Sequence, residues 1–349
     1  MKLIDKLAWI NIVDGRLLVA RSHGQKAFYL PGGKREQGED DADALAREIE
    51  EELAVRIVKN GIRRVATHEA EAHGKPGTTV RLTCYGAEHE GNIIPSSEIE
   101  EITWVTAVDG GLLSEGARGV VEGLAAQGLV RRESPEPRAI LFDLDDTLVQ
   151  TRAVKWKHHQ EVARRFYGID LTEDALSEAW GMPFDAMIAR LYQDSAPVDQ
   201  MRADNQSIAA DYLKTEVDGA VRTVTALLDR GLQVGVVTST NTEFAVADLE
   251  RLGFPTHRLL GIQGADRSSF HKPDGRVFSD LLSLLSGKGI GASETVYVGD
   301  SLADRTAALA AGLDYIGIES DLPRDAAPEG HRPQVLPTVA DVALALREY

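Results

Sequence analysis

The chain has 349 residues, of which 43% are hydrophobic and 27% charged, a composition typical of globular proteins that excludes wholesale disorder. This length predicts about two domains. The formal net charge is −17, and both halves are acidic, which opposes binding to a nucleic acid polymer. A small phosphorylated substrate is still compatible with this charge, because bound Mg²⁺ can hold such a molecule in an acidic pocket.

The sequence also favours a cytoplasmic protein without a membrane segment. No stretch approaches the roughly eighteen apolar residues that a membrane-spanning helix needs. Asp5 and Asn11 interrupt the apolar run that a signal peptide would keep at the N-terminus. Cys84 is the single cysteine, so the chain can form no internal disulfide.

The first half alternates strand patterns with helix patterns. Strands are predicted at Leu7–Val13, Arg16–Ala20, Thr78–Gly86 and Ile102–Val105, and helices at Asp41–Val55 and Leu112–Gln127. Asp14-Gly15 is a hairpin signal between the first two strands. These elements predict a mixed α/β domain over residues 1–131, followed by a polar, proline-containing linker at 132–138.

A carboxylate cluster is predicted on the first helix. Glu48, Glu51 and Glu52 have helical i, i+3 and i+4 spacing, which puts three like charges on one face. A hard divalent cation such as Mg²⁺, with Mn²⁺ as an alternative, would balance them. The preceding Gly32-Gly33 allows a tight turn that offers backbone groups to an ion or phosphate, and Arg47 is placed to orient a carboxylate. The simpler alternative is a solvated face of an acidic helix.

The whole spacing resembles the Nudix box, G-x5-E-x7-R-E-U-x-E-E-x-G-U. The matching residues are Gly33, Glu39, Arg47, Glu48, Ile49, Glu51, Glu52 and Val55. Ala54 stands where the family has its last glycine, and we expect it to strain or reshape the helix exit. The resemblance spans about residues 1–130 and implies an α/β/α sandwich with a mixed sheet, which hydrolyses a nucleoside diphosphate linked to another moiety.

By this resemblance, Glu48, Glu51 and Glu52 bind the metal, Gly33 contributes backbone, and Glu51 or Glu52 also places or deprotonates water. Glu98, Glu100 and Glu101 are candidates for an extra carboxylate, although an exposed turn is the preferred interpretation. Trp9, Phe28 and Tyr29 are candidates for base stacking, although core packing is the preferred interpretation for aromatic residues in strands.

The second half has the pattern of a doubly wound parallel sheet. Apolar strands are predicted at Ala139–Phe142, Leu232–Val237 and Thr295–Val298, each near a helical segment. Residues from about 153 to 213 are mostly helical in pattern and predict an inserted helical cap. The domain is predicted to cover 139–349.

Polar side chains follow each of these strands. Asp143 and Asp145 come directly after the first strand, where one carboxylate can act as a nucleophile and the other as general acid and base. Thr147 is placed to hydrogen-bond the turn. Thr238 ends the second strand with a hydroxyl for a phosphoryl oxygen, and Lys272 offers a cation.

Asp300 follows the third strand and would complete a metal site, with Asp304 supporting it or Lys272. This order of motifs resembles the haloacid dehalogenase-like phosphohydrolases over about 139–349. The resemblance implies an aspartyl-phosphate on Asp143, an acid and base role for Asp145, and phosphate binding by Thr238 and Lys272. It also implies Mg²⁺ binding by Asp143, Asp300 and the carbonyl of Asp145.

The sequence therefore predicts a bifunctional Mg²⁺-dependent phosphohydrolase that acts on small phosphorylated molecules, with nucleotides the favoured class. The first half would cleave a phosphoanhydride and the second a phosphomonoester. Two alternatives stay open: a nucleotide-binding first half without catalysis, and a phosphomutase in the second half.

Overall fold

A computed structural model of the protein describes residues 2–180, 184–319 and 334–346. The ends of the predicted domain ranges, at 1 and 347–349, and the stretch 320–333 lie outside the described residues. The longest described helix has 13 residues, so no helix in these ranges has the length and apolarity needed to cross a bilayer.

The first half contains eight strands and two α-helices in the residues described from position 2 onward. The strands are β1 (Lys2–Ile10), β2 (Ile12–Val13), β3 (Arg16–Ser22), β4 (Arg56–Ile57), β5 (Arg63–Glu71), β6 (Thr78–Gly86), β7 (His89–Glu90) and β8 (Ile99–Val105), and the helices are α1 (Asp41–Leu53) and α2 (Glu115–Ala126). The predicted strand at 7–13 is divided at Asn11. The hairpin prediction is confirmed, since Asp14 and Gly15 both have positive φ between the antiparallel β2 and β3.

The described strands of this half form two three-stranded sheets, β1-β6-β5 and β2-β3-β8, and a two-stranded sheet, β4-β7, with α1 and α2 packed on opposite faces of β1. β1 pairs in parallel with β6, which pairs antiparallel with β5, and β3 pairs antiparallel with β8. Along β1, Leu7 and Trp9 join the apolar cluster of α1, whereas Ala8 and Ile10 join that of α2. Because successive side chains of a strand point to opposite faces, this alternation puts the helices on opposite sides of the strands.

The second half contains eight strands and nine α-helices in its described parts. The strands are β9 (Ala139–Phe142), β10 (Val149–Gln150), β11 (Thr215–Glu216), β12 (Gln233–Val237), β13 (Ile262–Gln263), β14 (Thr295–Gly299), β15 (Asp314–Ile318) and β16 (Gln334–Leu336). The helices are α3 (Arg152–Val162), α4 (Glu173–Ala179), α5 (Phe184–Leu191), α6 (Val198–Ile208), α7 (Ala220–Asp229), α8 (Thr242–Arg251), α9 (Ser279–Ser286), α10 (Leu302–Ala310) and α11 (Val342–Ala345).

Six of these strands form one parallel sheet in the order β13-β12-β9-β14-β15-β16. Its central strand β9 is buried on both faces: Leu141 packs with residues of α9 and α10, and Ile140 and Phe142 pack with α7 and α8. The doubly wound prediction is confirmed. Helices α3 to α6 lie between β10 and β11 and have their own apolar cluster, as expected for a helical cap.

The two halves share an apolar cluster and buried polar contacts. The core on the α1 face contains Leu53 together with Leu309 of α10. The indole of Trp104 donates to the carbonyl of Leu309 at 2.7 Å, and Glu101 forms a buried ion pair with Arg305. This packing places α10, which begins beside Asp300, directly against β8.

A second contact connects the segment after β7 with the loop that carries Lys272. Asn92 Oδ1 accepts a hydrogen bond from the backbone N–H of Gly275 at 3.0 Å. A few residues on, the N–H of Ser96 donates to the carbonyl of Glu52 at 2.9 Å. The end of α1 and the Lys272 loop are therefore joined by one short stretch of chain.

Candidate functional site

Three carboxylates converge at the carboxyl edge of the parallel sheet. Asp143 follows β9 and Asp300 follows β14, and these strands are hydrogen-bonded neighbours. Asp304 lies in the first turn of α10, where its side chain and that of Ser301 cap the helix reciprocally. Adjacent parallel strands end at the same edge of a sheet, which explains why residues far apart in sequence meet here.

The three carboxylates form a compact and buried set. One oxygen each from Asp143, Asp300 and Asp304 lies within 4.8 Å of the others, and no other three potential ligands in the described ranges meet this condition. Lys272 Nζ lies 2.5 Å from Asp143 and 2.6 Å from Asp304. Tyr297, which sequence reasoning missed, contributes a hydroxyl 2.8 Å from Lys272.

The carboxylates and Lys272 shift one another's pKa values. Burial raises the pKa of Asp143, Lys272 opposes this, and the charges of Asp304, Asp145 and Asp300 add to it. The same carboxylates raise the pKa of Lys272 against the effect of burial, so we assign Lys272 as protonated. Three buried carboxylates whose oxygens converge offer the oxygen ligands that a divalent cation such as Mg²⁺ prefers.

Asp145 lies outside the compact set and has a different environment. Its carboxylate accepts hydrogen bonds from Thr151 at 2.5 Å, Lys214 at 2.8 Å and Thr240 at 2.7 Å. Burial opposes its ionisation, but Lys214 and the two hydroxyls together lower the pKa of Asp145. Thr238 Oγ1 is more distant, at 3.5 Å.

Sequence reasoning missed Lys214 and Thr240. Thr240 follows Thr238 at the same strand end, so its position offered a weak signal. Lys214 comes from the far end of the cap, where its sequence context offered none.

The prediction that Thr147 bonds the turn after β9 is wrong. Its hydroxyl is buried and has no hydrogen-bond partner among the described residues. The turn is closed by backbone instead, from the N–H of Asp146 to the carbonyl of Val149 at 2.7 Å. Asp146 has a φ of 61°, and its carboxylate accepts the N–H groups of Thr151 and Arg152 at the start of the cap. The side chain of Asp146 thus fixes the backbone where the chain enters the first helix of the cap.

The Nudix-like segment brings two of its three glutamates against the glycine turn. The N–H of Gly32 donates to Glu52 Oε2 at 2.8 Å. A Cβ at Gly33 would overlap the carboxylate of Glu48, so a larger residue there would displace that carboxylate from the turn. The carbonyl of Gly33 accepts the N–H of Leu7 at 2.8 Å, which leaves one of its two lone pairs for a further partner.

Arg47 binds the remaining carboxylates of this segment. It contacts Glu39 at 2.8 Å, Glu48 at 3.1 Å and Glu51 at 3.5 Å. Its hydrogen bonds lower the pKa of Glu39 to about 2. Glu51 is half exposed and points toward Arg47, so the three glutamates do not form a compact set like the aspartates. Arg47 thus contacts three carboxylates, of which Glu48 and Glu51 belong to the predicted cluster, rather than the single one that was expected.

Glu52 is the buried member of this cluster. Burial raises the pKa of Glu52 to about 7, the charges of Glu98 and Glu48 act in the same direction, and the N–H of Gly32 opposes them. The charge of Glu98 thus acts on Glu52, as expected for the extra carboxylate of a metal site that the sequence suggested. Glu101 instead pairs with Arg21 at 2.6 Å and with Arg305, and Glu100 pairs with Arg21 at 2.9 Å.

We predict that Glu52 makes the stability of the metal-free protein depend on pH. Its pKa in the folded state is about 7 and its ordinary value is 4.5, so the folded state holds a proton that the unfolded state releases. The resulting stabilisation is complete below about pH 4.5 and is lost as the pH rises through 7, by roughly 3 kcal/mol in all. Denaturant unfolding in EDTA between pH 5 and 8 measures it.

Glu52→Gln should remove this pH dependence, whereas Glu50→Gln, at an exposed position of the same helix, should leave it intact. A difference between Glu52→Gln and the unchanged protein that stays constant from pH 5 to 8 would contradict the prediction.

Ala54 ends helix α1 in a strained conformation. It has φ 55° and ψ 27°, and its N–H donates to the carbonyl of Glu50. A left-handed conformation is costly for a residue with a Cβ and free for glycine. The strain expected from the sequence is therefore present at this residue.

We predict that Ala54→Gly raises the free energy of unfolding by about 0.5 to 1 kcal/mol, because relief of strain exceeds the added chain entropy. The matched control is Ala46→Gly within the same helix, which should cost about 1 kcal/mol. Chemical denaturation measures both, and destabilisation by Ala54→Gly would refute the assignment of strain.

A cavity of about 290 Å³ adjoins the glycine turn. Gly32, Tyr29, His73, Lys6 and Lys75 are among its lining residues. Tyr29 and His73 form an edge-to-face ring pair with centroids 6.0 Å apart. The other two aromatic candidates, Trp9 and Phe28, are fully buried core residues, so only Tyr29 borders this cavity.

Comparisons with known proteins match each half separately. A family model described as haloacid dehalogenase-like hydrolase matches residues 140–318, and the NUDIX domain model matches residues 7–122. The chain is 30% identical to a phosphoglycolate phosphatase of Yersinia pseudotuberculosis over 196 residues, which are 52% of this chain and 80% of that protein. It is 27% identical to the pyrophosphatase PpaX of Bacillus pumilus over 201 residues, 56% of this chain and 90% of that protein.

The crystal structure of a Thermotoga maritima protein that is described as a beta-phosphoglucomutase superposes on this chain with a TM-score of 0.52 at 20% sequence identity. It covers 60% of this chain and 99% of its own. At this identity the likeness concerns the fold alone.

Proposed function

The chain belongs to the haloacid dehalogenase-like hydrolases and carries a NUDIX domain ahead of that domain, and from this premise we propose a bifunctional Mg²⁺-dependent phosphohydrolase. Its second half, over about 139–349, releases phosphate from a monoester, and its first half, over about 1–131, cleaves a phosphoanhydride. The observation that carries the proposal is the buried set of Asp143, Asp300 and Asp304 with Lys272 between two of them.

In the monoester reaction, a carboxylate oxygen of Asp143 attacks phosphorus and the bond from phosphorus to the leaving oxygen breaks. Lys214 and the hydroxyls of Thr151 and Thr240 favour the ionised form of Asp145, so Asp145 first takes up a proton from solvent and then gives it to that oxygen. Water then attacks the aspartyl-phosphate, Asp145 takes a proton from it, and Asp143 is released with phosphate. Lys272 balances negative charge on the phosphoryl group, and the hydroxyl of Thr238 binds one of its oxygens.

Asp143, Asp300 and the carbonyl of Asp145 are the proposed ligands of Mg²⁺ in this half, with Mn²⁺ as an alternative. Such an ion supplies charge neutralisation at the transferring phosphoryl group. Asp304 is held by Lys272, Ser301 and Tyr297, which supports a positioning role for it. That role keeps Lys272 directed at Asp143.

In the first half, Glu48, Glu51 and Glu52 with backbone of Gly33 are the proposed holders of a divalent cation. Glu52 is the best candidate for the general base, because burial has raised its pKa to about 7, near the optimum for proton transfer at neutral pH. The cavity beside Gly32 offers Tyr29 for contact with a base and Lys6 for phosphate, which supports a nucleotide as the substrate.

The names of two relatives support the substrate class of the second half. A pyrophosphatase and a phosphoglycolate phosphatase both release inorganic phosphate from small molecules. A phosphate-release screen over nucleotides, nucleoside diphosphate sugars and small phosphomonoesters tests the proposal, with the full chain in Mg²⁺ and in EDTA. Metal-dependent release from at least one monoester and cleavage of one anhydride are expected. Relocation of phosphate without release would instead support the phosphomutase alternative.

One observation favours a second candidate, in which the first half binds a nucleotide without catalysis. Glu51 is turned to Arg47, and the three glutamates lack the compact arrangement of the aspartates. If this candidate is correct, anhydrides bind to the protein but stay intact in Mg²⁺ and in Mn²⁺.

A further inference from the structure

Two lysines of the cap region lie beside Asp145. Lys214 Nζ is 2.8 Å from Asp145 and 3.4 Å from Asp248, and the lysine side chain is only 13% exposed. Lys155, on α3, is half-buried, and its charge interacts with those of Lys214, Asp145 and Asp248. Lys214 thus contacts the carboxylate that serves as the acid in the proposed reaction, and Lys155 is electrostatically coupled to both.

Several cations surround the carboxylates of Asp145 and Asp248. Asp248 already pairs with Arg251 at 2.9 Å, so three cations share the carboxylates of Asp145 and Asp248. Within the ranges that the structure describes, the side chain of Lys155 has no hydrogen bond or ion pair. Burial lowers the pKa of Lys155, and repulsion from Lys214 lowers it further. An unpaired cation held near a second one is stabilised when an anion binds between them.

We propose that Lys155 and Lys214 form an anion site for the leaving group of the monoester. The proposal deepens the proposed phosphatase function and rests on it. Because Asp145 must touch the leaving oxygen to protonate it, the rest of the leaving group lies next to Lys214. The second half therefore prefers phosphorylated molecules whose leaving group carries its own negative charge, a carboxylate or a phosphate.

Lys155 also borders a cavity within the cap. A cavity of about 680 Å³ is lined by Lys155 together with His158 and His159. Burial lowers the pKa of His159 to about 3, so this histidine is neutral and adds no positive charge. Arg202 also lines the cavity but is paired with Asp185. Lys155 is thus the cation of this cavity that is available to a ligand.

The test compares pairs of substrates that differ in the charge of the leaving group. 2-Phosphoglycolate is paired with 2-hydroxyethyl phosphate for a carboxylate, and pyrophosphate with methyl phosphate for a phosphate. We expect kcat/KM of the full chain to be at least tenfold higher for the charged member of at least one pair. An effect of this size is on the order of that of one hydrogen bond to a charged group. The pair that shows the larger preference identifies the anion.

The ratio to be compared is kcat/KM for the charged member of a pair divided by kcat/KM for its uncharged counterpart. Lys155→Met and Lys214→Met should each move this ratio toward one. A general defect of folding or of Asp145 would lower both members of a pair together and leave the ratio unchanged. Lys157→Met, at an exposed position of the same helix as Lys155, is the control and should keep the ratio of the unchanged protein.

A ratio near one in the unchanged protein, or a high ratio that neither Lys155→Met nor Lys214→Met alters, would overturn the anion site. Both results leave phosphatase activity in place. Failure to release phosphate from any of these compounds and from p-nitrophenyl phosphate would instead refute the proposed function itself.

Discussion

Asp143→Asn should reduce phosphate release from monoesters by a factor on the order of 10⁴ or more, as expected when a covalent nucleophile is lost. The amide has nearly the shape of the carboxylate but cannot form an acyl-phosphate. Lys272 keeps its second partner, Asp304, at 2.6 Å, so its ammonium remains paired. Initial rates with the best monoester of the screen, at saturating Mg²⁺, measure the effect.

Two controls accompany this variant. Asp280→Asn changes an exposed carboxylate on α9 and should leave the rate unchanged. Anhydride cleavage by Asp143→Asn itself should also persist, because that reaction is assigned to the other half. Monoester turnover within tenfold of the unchanged protein would remove Asp143 from the role of nucleophile.

Glu52→Gln should reduce anhydride cleavage by a factor of about 10² to 10⁴, the range for loss of a general base. Glutamine can still accept the hydrogen bond that the N–H of Gly32 now donates to Glu52, so the glycine turn is expected to persist. The same substitution removes the most deeply buried carboxylate of the cluster, which weakens cation binding as well.

Glu50→Gln is the matched control on α1, since Glu50 is exposed and outside the cluster. It should cleave the anhydride at the rate of the unchanged protein. If Glu52→Gln keeps full anhydride activity, then Glu52 is not the general base. The raised pKa of Glu52 would then affect the stability of the protein but not its catalysis.

The sequence predicted the fold of each half because the relevant signals are local. An apolar run followed by Asp143, and another followed by Asp300, are typical of buried parallel strands that end in ligands. The six-stranded parallel sheet confirms this interpretation. Strand β5 was missed because its charged, half-exposed sequence lacks an apolar alternation, and its pairing with β6 decides its structure.

Contacts between distant segments could not be predicted. Lys214 reaches Asp145 across 69 positions, and the pair exists only because the cap returns to the sheet there. The association of the two halves is of the same kind: Glu101 is one of three neighbouring acidic residues in the sequence, yet its ion pair with Arg305 buries it. No local pattern distinguishes Glu101 from the exposed Glu98 and Glu100.

The conformation of Ala54 shows the value of a departure from a motif. The glycine of the Nudix pattern has a physical reason, a positive φ at the helix end, and this chain keeps that φ with an alanine. The motif requires a glycine where the backbone has a positive φ, and the alanine at this position therefore indicated where strain would occur. The motif did not indicate whether the helix exit would change shape.

The most direct test of two separate phosphohydrolase sites is a ³¹P NMR time course with the best anhydride substrate in Mg²⁺. We predict that Asp143→Asn converts it to a phosphomonoester that is not hydrolysed further, and that Glu52→Gln leaves the anhydride intact while it still hydrolyses a monoester added separately. If either single substitution abolishes both reactions in a folded protein, or neither substitution affects its assigned reaction, the two-site account is wrong.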